Sequence, residues 1–392
     1  MKVVMYGFGS GNNIEPWLEF FEKNHEKYQL HFVCRSFQLK ADVFPNIRIV
    51  ETKSLYWIGL SLLFRLRKEK YDLVYIQGLY DYLIVLQMLL FTRARFRAVN
   101  IWNNRNFRKA SLENRKIWQI PLYRLIFALT HRFYFTWYGT YTDFGSLFPS
   151  QQKKRYIQPW GIRNRIIEDN PVAISEFAKH YLNSLHPDQL FLFWPENLSP
   201  DEHLDDFLEA LGKIPNNNNL RVLVFCGHQK TESDYSRYLR SLIRQYRLDF
   251  VDLVLGNYLP YSDIMAFWQR ADLSIKLSTK DQLSNGIIEA LFFKTPMVLN
   301  NWLPYKMLAE NGFHVFLTAL NPDSIAQTLS ILVDKLTSNR DYFVKEGNAN
   351  NKIIRERFNF DRNIGLLMEE LDHTVQQGRA RQTDTDSKAA IL

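Results

Sequence analysis

The chain has 392 residues, a formal net charge of +8, 46% hydrophobic side chains and 15% aromatic side chains. This composition excludes a disordered polymer, a collagen-like fibre and a small disulfide-stapled scaffold. A single hydrophobic core stops growing at about 250–300 residues, so the length predicts two domains. Cys34 and Cys226 each end an apolar run, which predicts buried thiols and a reducing, cytoplasmic environment.

The N-terminal half alternates short apolar strands with helical stretches. It begins with a strand at 2–7 that leads into a glycine-rich turn. Further strands are predicted at 29–34, 46–50, 72–77, 98–102, 133–137 and 154–158, with helices at 14–24, 60–70 and 79–91. Short apolar strands separated by helices are typical of a parallel sheet that is covered on both faces.

A Pro-Trp-Gly-Ile segment at 159–162 marks the predicted domain boundary, because Pro and Gly interrupt regular structure. The alternation then restarts, with strands at 190–194, 221–226, 251–255, 273–277 and 296–300. The sequence therefore predicts the α/β class, with two Rossmann-like, doubly wound parallel-sheet domains. The expected segments are a first domain at 1–160, a second domain at 161–345, a helix at 346–375 that packs back toward the first domain, and a disordered tail at 376–392.

A strongly basic stretch runs from Arg93 to Arg132, where aromatic residues are interleaved and Glu113 is the one acid. Such a surface suits an anionic membrane, although a solvated helix face explains the same pattern equally well. No helix-turn-helix, zinc or RNA-binding signature accompanies the charge, so we do not predict a nucleic-acid partner. The apolar stretches 55–64 and 83–91 are shorter than the roughly 20 residues of a membrane-spanning helix, so no span is predicted.

The most informative segment covers residues 271–300. A strand is predicted to end near Leu277, and after a polar loop a helix opens near Ser284 or Asn285, both good capping residues. A helix N-terminus presents amide groups and the positive end of the helix dipole, which suits a diphosphate. Asp281 in the loop and Glu289 in the helix can then face one ligand, accepting hydrogen bonds from ribose or sugar hydroxyls.

This pattern of two acids separated by seven residues, followed by Thr295, Pro296 and an apolar strand, resembles the signature of a known enzyme group. The group is the retaining, family-4-like nucleotide-sugar glycosyltransferases of the GT-B fold, and the segments 255–272 and 159–162 are similar to it as well. The resemblance implies that two domains face an interdomain cleft. It also implies a nucleoside diphosphate sugar as donor substrate, and no further cofactor is predicted. No His or Cys cluster has the spacing of a metal site, so no metal is predicted either.

The resemblance also implies site residues. Asp281 and Glu289 are the candidate catalytic acids, with Asp281 near the donor sugar and Glu289 at the donor ribose. The other donor-side candidates are Ser284, Asn285 and Gly286 at the diphosphate, and Gly256, Tyr258 and Leu259 at the nucleobase. The acceptor-side candidates are Gly9, Ser10, Gly11, Asn12 and Asn103. The Arg and Lys that usually neutralise the donor phosphates are absent from 191–203, and the candidate replacements are Lys276, Lys280, His228 and Lys230.

The expected activity is transfer of a hexosyl unit, with retention, to a saccharide or lipid-linked acceptor in envelope polysaccharide or glycolipid assembly. A cytoplasmic enzyme at the inner face of the membrane fits that expectation. Two alternatives stay open at this point. The missing phosphate-binding cations leave room for a non-catalytic nucleotide-sugar-binding or scaffold protein. A GT-B sugar epimerase or hydrolase is the other alternative.

Overall fold

A computed structural model describes residues 1–7, 14–37, 39–52, 58–79, 81–101, 119–168, 173–195, 198–215, 219–226, 233–256, 259–279 and 283–389. The chain forms two compact units. The first consists of Met1–Arg163 together with Phe360–Leu392, and the second is Asn164–Asn359. The chain therefore enters the second unit a few residues beyond the expected boundary after 160, and it returns to the first unit at Phe360.

The first unit is built on a parallel sheet, which has seven strands among the described residues. Strands β1 to β7 are Lys2–Tyr6, Gln29–Cys34, Arg48–Glu51, Lys70–Gln77, Arg93–Ile101, Arg132–Phe135 and Arg155–Ile157. Their order in the sheet is β3-β2-β1-β4-β5-β6-β7. The central strands are buried along most of their length, because helices cover both faces of the sheet.

The helices of this part of the chain, α1 to α5, are Glu15–Lys23, Leu60–Lys68, Tyr82–Phe91, Gln119–Leu129 and Tyr138–Leu147. Helix α1 packs on one face of the sheet, where Trp17, Leu18 and Phe21 are buried. Helices α2 to α5 contribute to the core on the opposite face. Two separate apolar layers therefore enclose the sheet, as expected for a doubly wound domain.

The second unit repeats this plan with a parallel sheet that has six strands among the residues described. Strands β8 to β13 are Leu190–Pro195, Leu220–Cys226, Val251–Leu255, Leu273–Lys276, Met297–Asn300 and Phe316–Thr318. Their order is β10-β9-β8-β11-β12-β13, which matches the order of the first six strands of the first unit. The predicted class, two doubly wound α/β domains, is confirmed. Strand β13 was not expected, because it is a three-residue edge strand with too little apolar pattern to stand out.

The helices of the second unit, α6 to α14, are Asn164–Ile167, Glu176–Ser184, Leu204–Gly212, Asp234–Gln245, Tyr261–Arg270, Asn285–Phe292, Leu303–Glu310, Pro322–Ser338 and Arg340–Arg357. Helices α8, α9 and α13 share a core with one face of the sheet. Helix α10 packs on the other face, where Phe193 of β8 lies 5.2 Å from Phe267 and 4.8 Å from Trp268 between ring centroids. This contact fixes α10 beside β8.

A last helix, α15 (Phe360–Ala389), returns to the first unit and packs against α1. Its buried apolar residues, among those described, are Phe360, Ile364, Leu367, Met368, Leu371 and Val375. The single helix expected at 346–375 is thus divided, since α14 ends at Arg357 in the second unit. Helix α15 extends to Ala389, into the segment for which the sequence favours disorder. Across the described part of the chain, no helix has the length and hydropathy of a membrane span.

Candidate functional site

The candidate site lies in the second unit, at the carboxyl ends of β8 and β11. These two strands are parallel neighbours, and the strand order reverses between them. In open α/β sheets this reversal point is where loops separate and ligands bind. The loop after β8 contains the 3₁₀ turn Pro200–Glu202, and the loop after β11 leads into α11.

Hydrogen bonds hold the loop after β11 in place from two sides. The amide group of Thr279 donates to the carbonyl oxygen of Asp201 at 3.1 Å, which joins the two loops. From the end of β12, Nδ2 of Asn300 donates to the carbonyl oxygens of Leu277 at 2.8 Å and Ser278 at 3.1 Å. The backbone that leads toward α11 is therefore fixed before the helix begins.

Helix α11 begins with Ser284 as its N-cap, whose Oγ accepts a hydrogen bond from the amide group of Ile287 at 3.4 Å. Asn285 is exposed, and Gly286 is partly exposed. Among the residues that the structure describes, the atoms that a Cβ atom at Gly286 would meet are Ser284 Oγ at 3.9 Å and Trp268 Cζ2 at 4.0 Å. The first turn is thus uncrowded, and the amide groups of a first turn have no partner within their own helix. An anionic group has room to approach it.

Glu289 is buried one turn into α11, with 8% of its surface exposed. The hydroxyl group of Tyr261, the first residue of α10, donates to Oε1 of Glu289 at 2.6 Å. Burial raises the pKa of the Glu289 carboxyl above its ordinary value, and contacts with Tyr261 and Trp268 act in the opposite direction. A carboxyl group with such a perturbed pKa at a strand-end site is a candidate for ligand binding.

Lys276 is the last residue of β11 and is 3% exposed. Its Nζ lies 3.8 Å from Oε2 of Glu202, which is also buried. His203 follows with φ at 56°, a left-handed conformation that few residues other than glycine adopt, and it leads into α8. A buried lysine at the strand end brings a positive charge into a site of low dielectric, where it acts strongly on a nearby anion.

Five of the predicted residues lie on the consecutive elements β11 and α11 or at the N-cap of α11: Lys276, Ser284, Asn285, Gly286 and Glu289. Gly256, with φ at 80°, ends β10, and the buried Leu259 lies just before α10. The Tyr261 hydrogen bond connects the segment after Leu259 to Glu289. The remaining predicted residues lie outside the described ranges: Asp281, Lys280, His228, Lys230, Tyr258, Gly9, Ser10, Gly11, Asn12 and Asn103.

Sequence reasoning missed two residues of this site. Tyr261 lies 28 positions before Glu289, and nothing in the spacing shows that its hydroxyl reaches that carboxylate. Glu202 occupies the stretch where a basic residue was expected, and only the structure shows Lys276 beside it. Both are products of tertiary packing. Within the described ranges, no group of three or more His, Cys, Asp or Glu side chains is arranged to hold a metal ion.

Comparison with known proteins places this site in a class. Residues 181–349 match the family described as "Glycosyl transferases group 1". Among curated proteins, none matches the sequence significantly. Solved structures match the whole fold at low identity. Anabaena HepE, in complex with UDP and glucose, has a TM-score of 0.73 at 14% identity, covering 95% of this chain and 100% of its own.

Two further structures are similar to the chain over a comparable length. Sucrose-phosphate synthase from Thermosynechococcus elongatus has a TM-score of 0.71 at 14% identity, with 96% of this chain and 99% of its own covered. A glycosyltransferase from Rickettsia africae has a TM-score of 0.73 at 13% identity, with 95% and 98% covered. At such identities these likenesses establish the fold, which is GT-B.

The fold and the matched domain together define a glycosyltransferase of the GT-B class. The group 1 domain of this chain is the part that carries β11, α11 and Glu289. The predicted resemblance to GT-B nucleotide-sugar glycosyltransferases is thereby confirmed, as is the assignment of the chain as an enzyme that transfers glycosyl groups. Its retaining, family-4-like character stays a prediction.

Proposed function

We propose that the chain transfers a hexosyl unit from a nucleoside diphosphate sugar to an acceptor hydroxyl, with retention at the anomeric carbon. The observation that carries the proposal is the buried Glu289, held by Tyr261 one turn into α11 of a group 1 domain. In this arrangement the carboxylate accepts hydrogen bonds from the ribose hydroxyls of the donor. Uridine is the proposed base, because the HepE structures contain UDP and UDP-glucose.

The donor diphosphate is proposed to lie at the first turn of α11. Ser284, Asn285 and Gly286 offer backbone amide groups there, and Gly286 leaves the approach uncrowded. Lys276 is the proposed cation for the phosphates, since the usual Arg and Lys are missing after β8. Its neighbour Glu202 holds the ammonium group near the strand end. A positive charge placed there stabilises the negative charge that develops on the leaving diphosphate.

The proposed reaction breaks the bond between the anomeric carbon and the diphosphate oxygen and forms a bond to the acceptor oxygen on the same face. The acceptor proton passes to the departing phosphate, so that the reaction needs no separate protein base. The protein supplies positioning and electrostatic stabilisation of the leaving group. The other candidate residues stay predictions. On the donor side they are Asp281, Lys280, His228, Gly256, Tyr258 and Leu259, and on the acceptor side they are Gly9, Ser10, Gly11, Asn12 and Asn103.

The acceptor is proposed to be a saccharide or a lipid-linked hydroxyl of envelope polysaccharide or glycolipid assembly. A lipid-linked acceptor agrees with the prediction that the stretch from Arg93 to Arg132 meets an anionic membrane. The described basic residues of this stretch divide into two kinds. Arg93, Arg95 and Arg124 are exposed, whereas Nε of Arg97 donates to the carbonyl oxygen of Leu89 and Arg132 pairs with Glu370.

The test is release of nucleoside diphosphate from a panel of sugar donors, beginning with UDP-glucose, with and without a panel of acceptors. Release that depends on acceptor, with a product whose anomeric configuration by NMR equals that of the donor, supports the proposal. Release without acceptor points to a hydrolase instead. Binding without release points to a scaffold protein. Inversion of the anomeric configuration would contradict the retaining mechanism.

A further inference from the structure

Helices α2, α3 and α4 form one continuous layer on the first unit. Helix α2 packs beside α3, and α3 packs beside α4, all on the same face of the sheet. The central helix, α3, is apolar almost all round because its neighbours cover both its flanks. Residues 84–89 of α3 are buried, and the exposed residues of this helix are Leu90 and Phe91 at its end. The outward side of the layer, here called the outer face, is therefore formed by the exposed residues of α2 and α4 together with Leu90 and Phe91.

The outer face exposes large apolar side chains. Five of those that are more than a third exposed lie on these helices: Leu60 at 63%, Phe64 at 69%, Leu90 at 47%, Phe91 at 36% and Leu125 at 40%. Leu60 and Phe64 are one turn apart on α2, so they project from the same side of the helix. Phe64 is 69% exposed, so most of its side chain forgoes the favourable free energy of burial, and together with Leu60 it forms an apolar site that an apolar environment would cover.

The charged residues of the three helices are all basic. The segments of α2, α3 and α4 contain Arg65, Arg67, Lys68 and Arg124, all exposed, and no Asp or Glu. At the start of β5, beside the end of α3, Arg93 and Arg95 add two more exposed positive charges. Exposed apolar side chains next to an unopposed basic cluster are the composition of surfaces that lie on anionic lipid.

The acidic residues near these helices do not weaken that charge, because each is engaged elsewhere. Within 58–79 and 81–101 the acids are Glu69, Asp72 and Asp81. Glu69 pairs with Lys2 at 2.6 Å and with Arg48 at 3.3 Å. Asp72 accepts the amide group of Lys2 at 2.9 Å, and Asp81 accepts the hydroxyl of Tyr6 at 2.5 Å. The described charges therefore give the outer face a positive electrostatic potential.

We propose that the outer face of α2, α3 and α4 is a docking surface for an anionic lipid membrane. Leu60 and Phe64 enter the boundary between headgroups and acyl chains. Arg65, Arg67 and Lys68 on the same helix contact lipid phosphates, while Arg124 extends the basic contact on α4. This proposal is independent of the sugar chemistry, because it concerns residues of the first unit and holds for any donor.

The test is flotation of the full chain with two kinds of vesicle, one of phosphatidylcholine alone and one in which about a third is replaced by phosphatidylglycerol. The wild-type protein is expected to float with the anionic vesicles at low salt and to be released at high salt. The variant Arg65→Gln/Arg67→Gln/Lys68→Gln is expected to bind about a hundredfold more weakly, at about fivefold per basic residue. The variant Leu60→Ser/Phe64→Ser is expected to weaken binding at low salt, because it removes the apolar side chains that enter the membrane.

A control variant makes the same kinds of replacement, of exposed apolar and basic residues, on α14 of the second unit. There Val344 is 53% exposed, and Lys345 and Lys352 are exposed. The variant Val344→Ser/Lys345→Gln/Lys352→Gln is expected to float like the wild type, and circular dichroism melting checks that every variant folds. Equal flotation with both kinds of vesicle, or equal losses in the α2 and control variants, would overturn the proposal. The proposal would also be overturned if sedimentation velocity showed a dimer that does not bind vesicles and that dissociates in the variant Leu60→Ser/Phe64→Ser. The outer face would then be covered by a second copy of the chain.

Discussion

The hydroxyl group of Tyr261 and the carboxyl group of Glu289 are joined by a 2.6 Å hydrogen bond between the first residue of α10 and the first half of α11. This bond connects the segment that follows β10 with the helix that follows β11. Burying a carboxyl group costs free energy unless the group is hydrogen-bonded. The hydrogen bond from Tyr261 therefore offsets part of the cost of burying Glu289. It also sets the orientation in which Glu289 can receive a ligand.

Replacing Tyr261 by Phe is expected to raise the KM for the sugar donor about tenfold while kcat changes less, because the hydrogen bond orients Glu289 for binding. The same change is expected to move the pH midpoint of donor binding upward, since Tyr261 lowers the pKa of Glu289. The measurement is KM and kcat against pH, with Tyr238→Phe, an exposed tyrosine on α9, as control. A loss of activity with an unmoved midpoint would mean that Tyr261 serves stability alone.

Replacing Glu289 by Gln is expected to abolish donor binding and yet to stabilise the free protein at neutral pH. Burial raises the pKa of Glu289 in the folded state, so that the unfolded chain holds fewer protons once pH exceeds the ordinary value near 4.5. The stability of the wild type therefore falls as pH rises from that value through the raised pKa, by about 1.4 kcal/mol per unit. The Gln variant lacks this fall.

The measurement for Glu289→Gln is the melting temperature between pH 4 and 8, without and with UDP-glucose. Glu356→Gln on α14, where the glutamate is 59% exposed, is the control and is expected to leave both the curve and the ligand response unchanged. A Gln variant whose melting temperature falls with pH as steeply as that of the wild type would contradict the linkage. Full ligand stabilisation of that variant would contradict the role of Glu289.

Replacing Lys276 by Met is expected to destabilise the protein by about 3 kcal/mol, because it removes the ammonium group that lies 3.8 Å from Oε2 of the buried Glu202. Adding Glu202→Gln is expected to recover most of that stability, and it is expected to recover no activity, since the cation for the donor phosphates stays absent. Chemical denaturation and turnover, measured on both single variants and on the double variant, separate the two effects. Recovery of turnover in the double variant would show that Lys276 acts through folding alone.

Replacing Lys294 by Gly is expected to stabilise the protein by about 1 kcal/mol. Lys294 follows α11 with φ at 69°, where a side chain strains the backbone and glycine does not. Gly347→Ala is the opposite case, because a Cβ atom there would lie 2.8 Å from the carbonyl oxygen of Lys294 and 2.7 Å from its Cβ. The melting temperature is expected to rise for Lys294→Gly and to fall for Gly347→Ala. A melting temperature of Lys294→Gly equal to that of the wild type would contradict backbone strain at Lys294.

The sequence predicted most of the fold because both sheets are made of short apolar strands whose pattern is local. It also predicted where Glu289, Ser284 and Lys276 lie, since each occupies a recognisable position on a strand end or near a helix start. Their roles in binding the donor stay predictions. It did not predict Tyr261 or Glu202, because their partners are distant along the chain and are met only after folding. Strand β13 was not predicted for a different reason, since it has three residues, of which one, Thr318, is buried, and so short a strand carries too weak a pattern.

The division of the chain has a consequence for its synthesis. The second unit is contiguous, so all of its strands and helices have been made as soon as Asn359 has left the ribosome. The first unit has made all its strands much earlier, but the apolar side chains of α1 stay uncovered until α15 is made. The first unit therefore completes its folding only after the second unit and α15 have been synthesised. During that interval, chaperones that recognise exposed apolar helices are expected to bind the nascent chain at α1.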